Sequence, residues 1–363
     1  MSLLHLGVRN IRNLIDTDIS PGSSVNLVYG ANGSGKTSLL ESIYVLGHAK
    51  SFRASRLRYV IRRDDNHFSV AGKAQQRSGD ITPLRIDYQV GQVQIYANKQ
   101  PLKRTSELAQ RLPIILINAD SHRLLEDGPR LRRHFMDWGV FHVEHSYLPV
   151  WKRYYRALRQ RNAALRRDSN GSVDAAWNQE LSQTATEVHL KRQRYIERLN
   201  PEFFYYVNEL LDIEATTIAY SPGWPIDQPL KEFLVKGAAQ DRQAGYTRFG
   251  PHRADFIVRV NGIPAEQSVS RGQQKLLICA LHLAQARVLD QERGAGCVVL
   301  VDDLAAELDP RHRNRLLKLL ARTNQQVFVT ATEHDLFAVD QCPGIRMFHV
   351  EQGRVSTVEN GGT

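Results

Sequence analysis

One run of eight residues constrains this chain more than any other: Gly30-Ala31-Asn32-Gly33-Ser34-Gly35-Lys36-Thr37. It fits G-x-x-x-x-G-K-[ST]. It follows a strand-like apolar stretch at 24–29 and opens a helical pattern at 36–46 that puts Leu39, Leu40, Ile43 and Leu46 on one face. Strand, glycine-rich loop and helix, in that order, make a phosphate-binding loop. Glycines let backbone N–H groups wrap around phosphate oxygens, and the helix N-terminus adds partial positive charge. Lys36 is expected to reach the β- and γ-phosphates, and the Thr37 hydroxyl to ligate Mg²⁺. Gly30, Ala31, Asn32, Gly33, Ser34, Gly35, Lys36 and Thr37 are therefore the candidate nucleotide-binding residues.

A second signal supports the first. Cys297-Val298-Val299-Leu300-Val301 reads as a buried strand that delivers Asp302 and Asp303 to its C-terminal end, where open α/β sheets bind ligands. Paired acids after a strand are often only a turn or a helix cap. Beside a phosphate loop they point to chemistry. Asp302 is expected to hold the Mg²⁺ shell with Thr37. Asp303 stands where a water-polarising acid belongs, so Lys36 and Asp303 are the candidate catalytic residues.

The pattern changes twice along the chain. Residues 1–118 read as strands and turns around one clear helix. Residues 119–245 read as a helical insert. Trp151, Tyr154, Tyr155, Leu158 and Leu165 recur at helical spacing, a second helical stretch covers 177–199, Asn200-Pro201 interrupts it, and 203–211 resumes. From 246 on, strand and helix alternate. A hairpin turn is expected at Asn261-Gly262, a long helix over 272–289, and strands at 297–301 and 326–330 around a helix near 310–321. The expected organisation is one discontinuous α/β domain, 1–118 with 246–363, interrupted by a helical domain, 119–245.

Ser270-Arg271-Gly272-Gln273 opens the long helix, with Ser270 a plausible N-cap. The run also resembles the signature motif of ABC-type ATPases. That resemblance implies that Ser270, Arg271, Gly272 and Gln273 of one subunit cap the γ-phosphate on the phosphate loop of another. Ala306-Glu307-Leu308-Asp309 follows the acid pair as the D-loop does in that superfamily. Where the superfamily usually has a switch histidine, this chain has Thr330-Ala331-Thr332, and His334 reads as a surface residue. ABC transporter subunits keep loop and signature much closer together, and chromosome-maintenance proteins separate them by long coiled coils. Here the insert carries prolines and no sustained heptads.

With these residues in hand the chain resembles the RecF family of bacterial recombination-repair ATPases essentially from end to end. The resemblance includes Val8-Arg9-Asn10-Ile11-Arg12-Asn13-Leu14, Leu40-Glu41-Ser42-Ile43-Tyr44 and Lys50-Ser51-Phe52-Arg53. It continues through Gly128-Pro129-Arg130-Leu131-Arg132-Arg133-His134-Phe135-Met136-Asp137-Trp138, Arg161-Asn162-Ala163-Ala164-Leu165 and Gly250-Pro251-His252-Arg253-Ala254-Asp255. It implies an α/β, Rad50-like ABC-type ATPase head with a helical lobe, using ATP and Mg²⁺. It also implies an ATP-driven homodimer that binds single- and double-stranded DNA at gaps, acts with RecO and RecR to promote RecA loading, and supports replication and the SOS response. Hydrolysis is expected to be weak, DNA-dependent and slow, because Asp303 is one carbon shorter than a glutamate in that position. Two other readings are an ATP-switched protein scaffold and a transporter-type ATPase subunit.

Charge completes the picture. The 363 residues carry a formal net charge of +10, which favours a polyanionic partner. Residues 50–63 contain Lys50, Arg53, Arg56, Arg58, Arg62 and Arg63 and no acid. Residues 128–170 contain ten basic residues against three acids. Lys50, Arg53, Arg56, Arg58, Arg130, Arg132 and Arg133 are the candidate DNA contacts, expected to grip the backbone without reading bases. No apolar run is long enough to span a bilayer, and the N-terminus lacks the pattern of a signal peptide. Three scattered cysteines, Cys279, Cys297 and Cys342, make no disulfide framework, so a reducing cytoplasm without membrane attachment is the expected setting.

Overall fold

A computed structural model describes residues 1–167, 174–213, 215–294, 296–303, 308–333 and 344–358. The chain divides into two compact units, residues 1–121 with 289–363 and residues 122–288. Among the described residues no helix is long and apolar enough to cross a membrane.

The first unit contains two sheets. One is antiparallel, in the order β2-β1-β4-β5-β6-β7, from β1 (Ser2–Arg9), β2 (Thr17–Ile19), β4 (His67–Gln75), β5 (Ile81–Gln89), β6 (Gln92–Ala97) and β7 (Gln100–Pro101). In β4 and β5 buried positions recur at every second residue, as expected when one sheet face meets a core and the other meets water. The other sheet runs β15-β14-β3-β13-β12-β8, from β3 (Val25–Tyr29), β8 (Ile114–Ile117), β12 (Val298–Val301), β13 (Gln326–Ala331), β14 (Arg346–Glu351) and β15 (Arg354–Val358). All its neighbouring pairs are parallel except β14 with β15. Every residue of β12 and β13 is buried, which explains the unbroken apolar sequence of β12 and the Val327-Phe328-Val329 run of β13.

Helix α1 (Lys36–His48) buries Leu39, Leu40, Ile43 and Leu46 in one core with Leu3, Leu6 and Val8 of the antiparallel sheet and Val28, Leu300 and Phe328 of the parallel one. Helices α2 (Thr105–Arg111) and α11 (Pro310–Arg322) also belong to this unit, as does the last turn of α10 (Arg271–Arg293). Asp309 caps α11 by accepting from the Arg311 and His312 amides. The consequence for function is topological. β13 lies between β3, which leads into the phosphate loop, and β12, which ends at the acid pair.

The second unit is mostly helical: α3 (Arg123–Glu126), α4 (Pro129–Val143), α5 (Tyr147–Arg167), α6 (Asp174–Leu210), α7 (Leu230–Lys236), α8 (Ala238–Ala244), α9 (Ala265–Ser268) and α10 (Arg271–Arg293). It also holds a three-stranded sheet, β11-β10-β9, from β9 (Thr216–Ser221), β10 (Asp255–Val260) and β11 (Ile263–Pro264). The hairpin between β10 and β11 turns at Asn261 and Gly262, both with positive φ.

Two sequence expectations differ from what is observed. Residues 246–288 belong to the second unit, whereas their α/β alternation suggests the head. β10 pairs with β9 of the insert over six residues, and Gln285 of α10 donates to Phe135 O and the Tyr195 hydroxyl. The second difference is that α6 runs through Pro201 without a break. Next to that proline, the Asn200 amide turns to β9, accepting from Ile218 N and donating to Ile218 O, and so covers a strand edge.

Two arginines of the second unit have no exposed side-chain surface. Arg161 donates to Asn178 Oδ1 (2.7 Å), Asp241 Oδ2 (2.8 Å) and Thr247 Oγ1 (2.8 Å). Arg192 grips Asp137 with two nitrogens, at 2.8 and 3.0 Å, and donates to Pro251 O at 2.7 Å. Asp137 also accepts from the Tyr147 hydroxyl and from Trp151 Nε1. Both ion pairs are saturated with hydrogen bonds, as a buried charge requires.

Candidate functional site

The phosphate loop leaves β3 at Gly30 and enters α1 at Lys36. At Gly30 a Cβ would stand 2.1 Å from Val350 O, so no side chain fits there. Gly33 has φ +77° and nothing within 4 Å of where a Cβ would point, so the backbone conformation alone calls for glycine. Lys36 is 5 % exposed. Its Nζ donates to Gly30 O at 2.7 Å and Ala31 O at 3.1 Å, which leaves one of its three protons for another acceptor. The Ser34 hydroxyl is buried without a hydrogen-bond partner. Asn13 braces the loop by donating to Gly33 O and accepting from the Ser38 hydroxyl.

The acid pair meets this loop from β12. Thr37 Oγ1 donates to Asp302 Oδ1 at 3.1 Å, and Thr330 Oγ1 approaches the same oxygen at 3.1 Å. Thr330 also accepts the Asp303 amide at 2.8 Å. Asp303 has φ +54°, a left-handed conformation that few non-glycine residues adopt. Burial, and then the charge of Asp303, push the Asp302 carboxyl above the usual carboxylate range. Hydrogen bonds from Thr330 and Thr37 and the charge of Arg53 oppose the shift. The donor set fits Mg²⁺, which is commonly held by one or two carboxylates together with substrate phosphates. Thr37 and Asp302 would hold it. The orphaned Ser34 hydroxyl, the available Lys36 proton and the glycine-shaped loop fit a triphosphate.

A cavity of about 580 Å³ opens over the loop, lined in part by Arg12, Asn13, Lys36, Thr37, Arg53, Tyr59 and Asp303. Its basic wall is anchored on Glu41, whose side chain is wholly buried. Arg12 grips both Glu41 oxygens at 2.9 Å, and Arg53 stands 3.7 Å away. The sequence leaves Arg12 open between nucleotide and DNA and marks Thr330 only as standing in the switch-histidine region, whereas Asn13, Glu41 and Tyr59 are absent from the residues it assigns to the site. For Thr330 a signal existed. It ends a parallel strand beside β12, and the rule that singles out Asp302 applies to it equally.

The signature residues stand at the N-terminus of α10. Ser270 N donates to Gln273 Oε1 at 2.9 Å, and Gln273 N to Ser270 Oγ at 3.3 Å, which is a capping box. Ser270, Arg271 and Gly272 are exposed and Gln273 is half-buried. Of the expected D-loop, Ala306 and Glu307 lie outside the described residues, as do His334 and Cys342. Cys279 and Cys297 are buried, and burial pushes both thiols up to about 12, which makes them inert.

The candidate DNA contacts separate into two groups. Lys50, Arg53, Arg56, Arg58 and Arg130 are exposed. Arg132 is engaged inside the protein, bidentate on Asp255 at 2.7 and 2.9 Å, and donates to Asp127 O. Arg133 donates to Ala254 O at 2.9 Å. These contacts join the two motifs 128–138 and 250–255 into one assembly, so both arginines brace the fold. Arg161 likewise leaves the basic surface. Lys152, Arg153, Arg156, Arg159, Arg166 and Arg167 of α5 remain exposed.

Residues 2–356 match the family model described as the RecF/RecN/SMC N terminal domain. A DNA replication and repair protein RecF from Pseudomonas fluorescens is 44 % identical over 361 residues, covering 98 % of each chain. One from Pseudomonas putida is 42 % identical with the same coverage. Among solved structures, the recombination mediator protein RecF with ATP in the RecFOR pathway superposes with a TM-score of 0.86 at 26 % identity, over 98 % of this chain and 97 % of that one. An Smc head bound to the C-terminal winged-helix domain of ScpA gives 0.60 at 16 % identity, over 99 % and 98 %, a likeness of fold. The architecture is thus that of an SMC-type, Rad50-like ABC ATPase head.

Proposed function

We propose, since this chain belongs to the RecF family, that it is an ATP-dependent DNA-binding protein of replication and recombinational repair. The observation that carries this reading is the meeting of Thr37 with Asp302 at 3.1 Å, between residues far apart in sequence, directly beneath a glycine-shaped phosphate loop. Mg²⁺, when bound, would supply charge neutralisation for phosphoryl transfer, and Thr37 and Asp302 would hold it. Lys36 binds the phosphates, and Asp303 accepts a proton from the attacking water. ATP on one subunit is capped by Ser270–Gln273 of a second copy, which suits an exposed, capped helix N-terminus. Hydrolysis then opens the dimer and serves as a timer. The RecFOR pathway named for the structural relative supports joint work with RecO and RecR, and promotion of RecA loading at single-strand gaps is the further step of this reading. Lys50, Arg53, Arg56, Arg58 and Arg130 are the DNA contacts of this reading, and α5 also carries exposed cations.

The test measures DNA affinity and solution mass with ATP and with ADP, for the wild type, Lys36→Met and Ser270→Arg. The wild type is expected to dimerise and to bind DNA at least about tenfold more tightly with ATP than with ADP. Lys36→Met should lose nucleotide binding, and Ser270→Arg should bind nucleotide yet stay monomeric. DNA binding that ignores both nucleotide and substitutions would sink the reading.

A further inference from the structure

We propose that Thr330 is a positioning residue, whose hydroxyl fixes Asp303 in its left-handed backbone conformation and ties it to Asp302, so that the acid facing the water is aimed by the sheet and not by the nucleotide. The proposal rests on the hydrolytic reading above and adds a role for a residue that the sequence marks only as standing where the superfamily usually has a switch histidine.

The placement follows from topology. β13 is the strand between β3 and β12, and Thr330 stands near its C-terminal end, wholly buried. β13 reads Gln326-Val327-Phe328-Val329-Thr330-Ala331, with every position buried. Gln326 has its own partners, the Leu3 amide and carbonyl. Thr330 is the other polar residue in the strand. A valine would match its shape and strand propensity without desolvating a hydroxyl. The hydroxyl therefore has to be explained by its contacts.

Those contacts use its one proton and one of its two lone pairs. A hydroxyl donates one proton and accepts at its lone pairs. Thr330 Oγ1 accepts the Asp303 amide at 2.8 Å and donates to Asp302 Oδ1 at 3.1 Å; Asp303 Oδ1 stands farther off, at 3.5 Å. The first bond fixes the amide of a residue held at φ +54°. That conformation is disfavoured for a residue with a Cβ, which crowds the following carbonyl oxygen. The second bond gives Asp302 a hydroxyl donor that comes from the sheet. Its other donor, Thr37, belongs to the loop and helix that receive the nucleotide. One hydroxyl thus links the orientations of both acids to a strand core that does not depend on ligand.

Thr330→Val and Thr330→Ser test this. The measurements are steady-state ATP turnover with DNA present, equilibrium binding of a fluorescent ATP analogue, and the crystallographic φ of Asp303 in each variant. In Thr330→Val, kcat should fall about 10- to 100-fold with analogue affinity within about twofold, and Asp303 should leave the left-handed region. Thr330→Ser should restore turnover to within about threefold and keep φ positive. The proposal is overturned if Thr330→Val retains both turnover and a positive φ at Asp303. It is also overturned if serine fails to rescue, or if turnover and affinity collapse together. A wild type that binds the analogue but hydrolyses no ATP would instead count against the hydrolytic reading, and the φ of Asp303 in the valine variant would still decide the role of Thr330.

Discussion

Two places in this molecule bury charge, and they do so in opposite ways. In the helical unit, Arg161 and Arg192 have no exposed side-chain surface, and each faces a carboxylate and further acceptors in close geometry. In the head, Asp302 is buried beside Asp303, with hydroxyls as its hydrogen-bond donors. The first arrangement is complete as it stands. The second carries excess negative charge at the edge of a phosphate loop, and a cation would relieve it. A structural charge cluster closes on itself, whereas a binding site leaves one partner to be supplied from outside.

The strongest way to break this comparison is to open a closed cluster. Arg161→Leu leaves Asp241 buried, with Arg248 its remaining cation. Stability should fall by about 3–5 kcal/mol, read as a lower urea midpoint, while nucleotide binding by the folded protein persists. A loss below about 1 kcal/mol would show that the cluster is not the anchor it resembles.

Acid should act on the helical unit next. Burial lowers both His252 and His282 from 6.5 to about 4. His252 is held neutral between the Tyr154 hydroxyl and Thr247 O. Between these pH values the unfolded chain binds protons that the folded one refuses, so stability rises with pH. The contribution is fully present above pH 6.5 and is lost as pH falls toward 4. Denaturation midpoints measured from pH 7.5 to 4.5 should drop through that window, and His282→Leu should make the drop shallower. A midpoint that is flat across the window would contradict this.

The smallest expected effect has the opposite sign. Because burial and Asp303 raise the pKa of Asp302, its ionised form costs the ligand-free head stability at neutral pH. Asp302→Asn keeps an oxygen for Thr37 and Thr330 and removes the charge. Its melting temperature without ligand should rise, while Mg²⁺ no longer strengthens nucleotide binding. A variant less stable than the wild type would mean that the acid pair is already compensated.

Much of the site was legible in the chain. The loop at 30–37, the strand ending in Asp302 and Asp303, and the capped helix start at Ser270 are local patterns, because each depends on neighbours a few residues away. Hairpin and strand positions followed for the same reason, as at Asn261-Gly262. The domain boundary did not. Residues 246–288 alternate like the head, yet β10 found its partner in β9, and pairing between distant segments leaves no local trace. Arginines show the same limit. Arg130 and Arg132 are two positions apart in one basic run, and one meets solvent while the other meets Asp255.

The sequence by itself put forward the chemistry on offer: a phosphate cradle, Thr37 and Asp302 as proposed holders of a cation, Asp303 as the proposed acid toward water, a helix start proposed to cap another subunit's nucleotide, and a resemblance to a family. Only the tertiary structure decided who serves it. Thr330 is one threonine among many until β13 is laid between β3 and β12. Arg12 stands open between nucleotide and DNA until Glu41 is buried opposite it. Backbone periodicity is set by nearest neighbours, but the fate of a polar side chain is set by what replaces its water, and that is known only once the chain has folded.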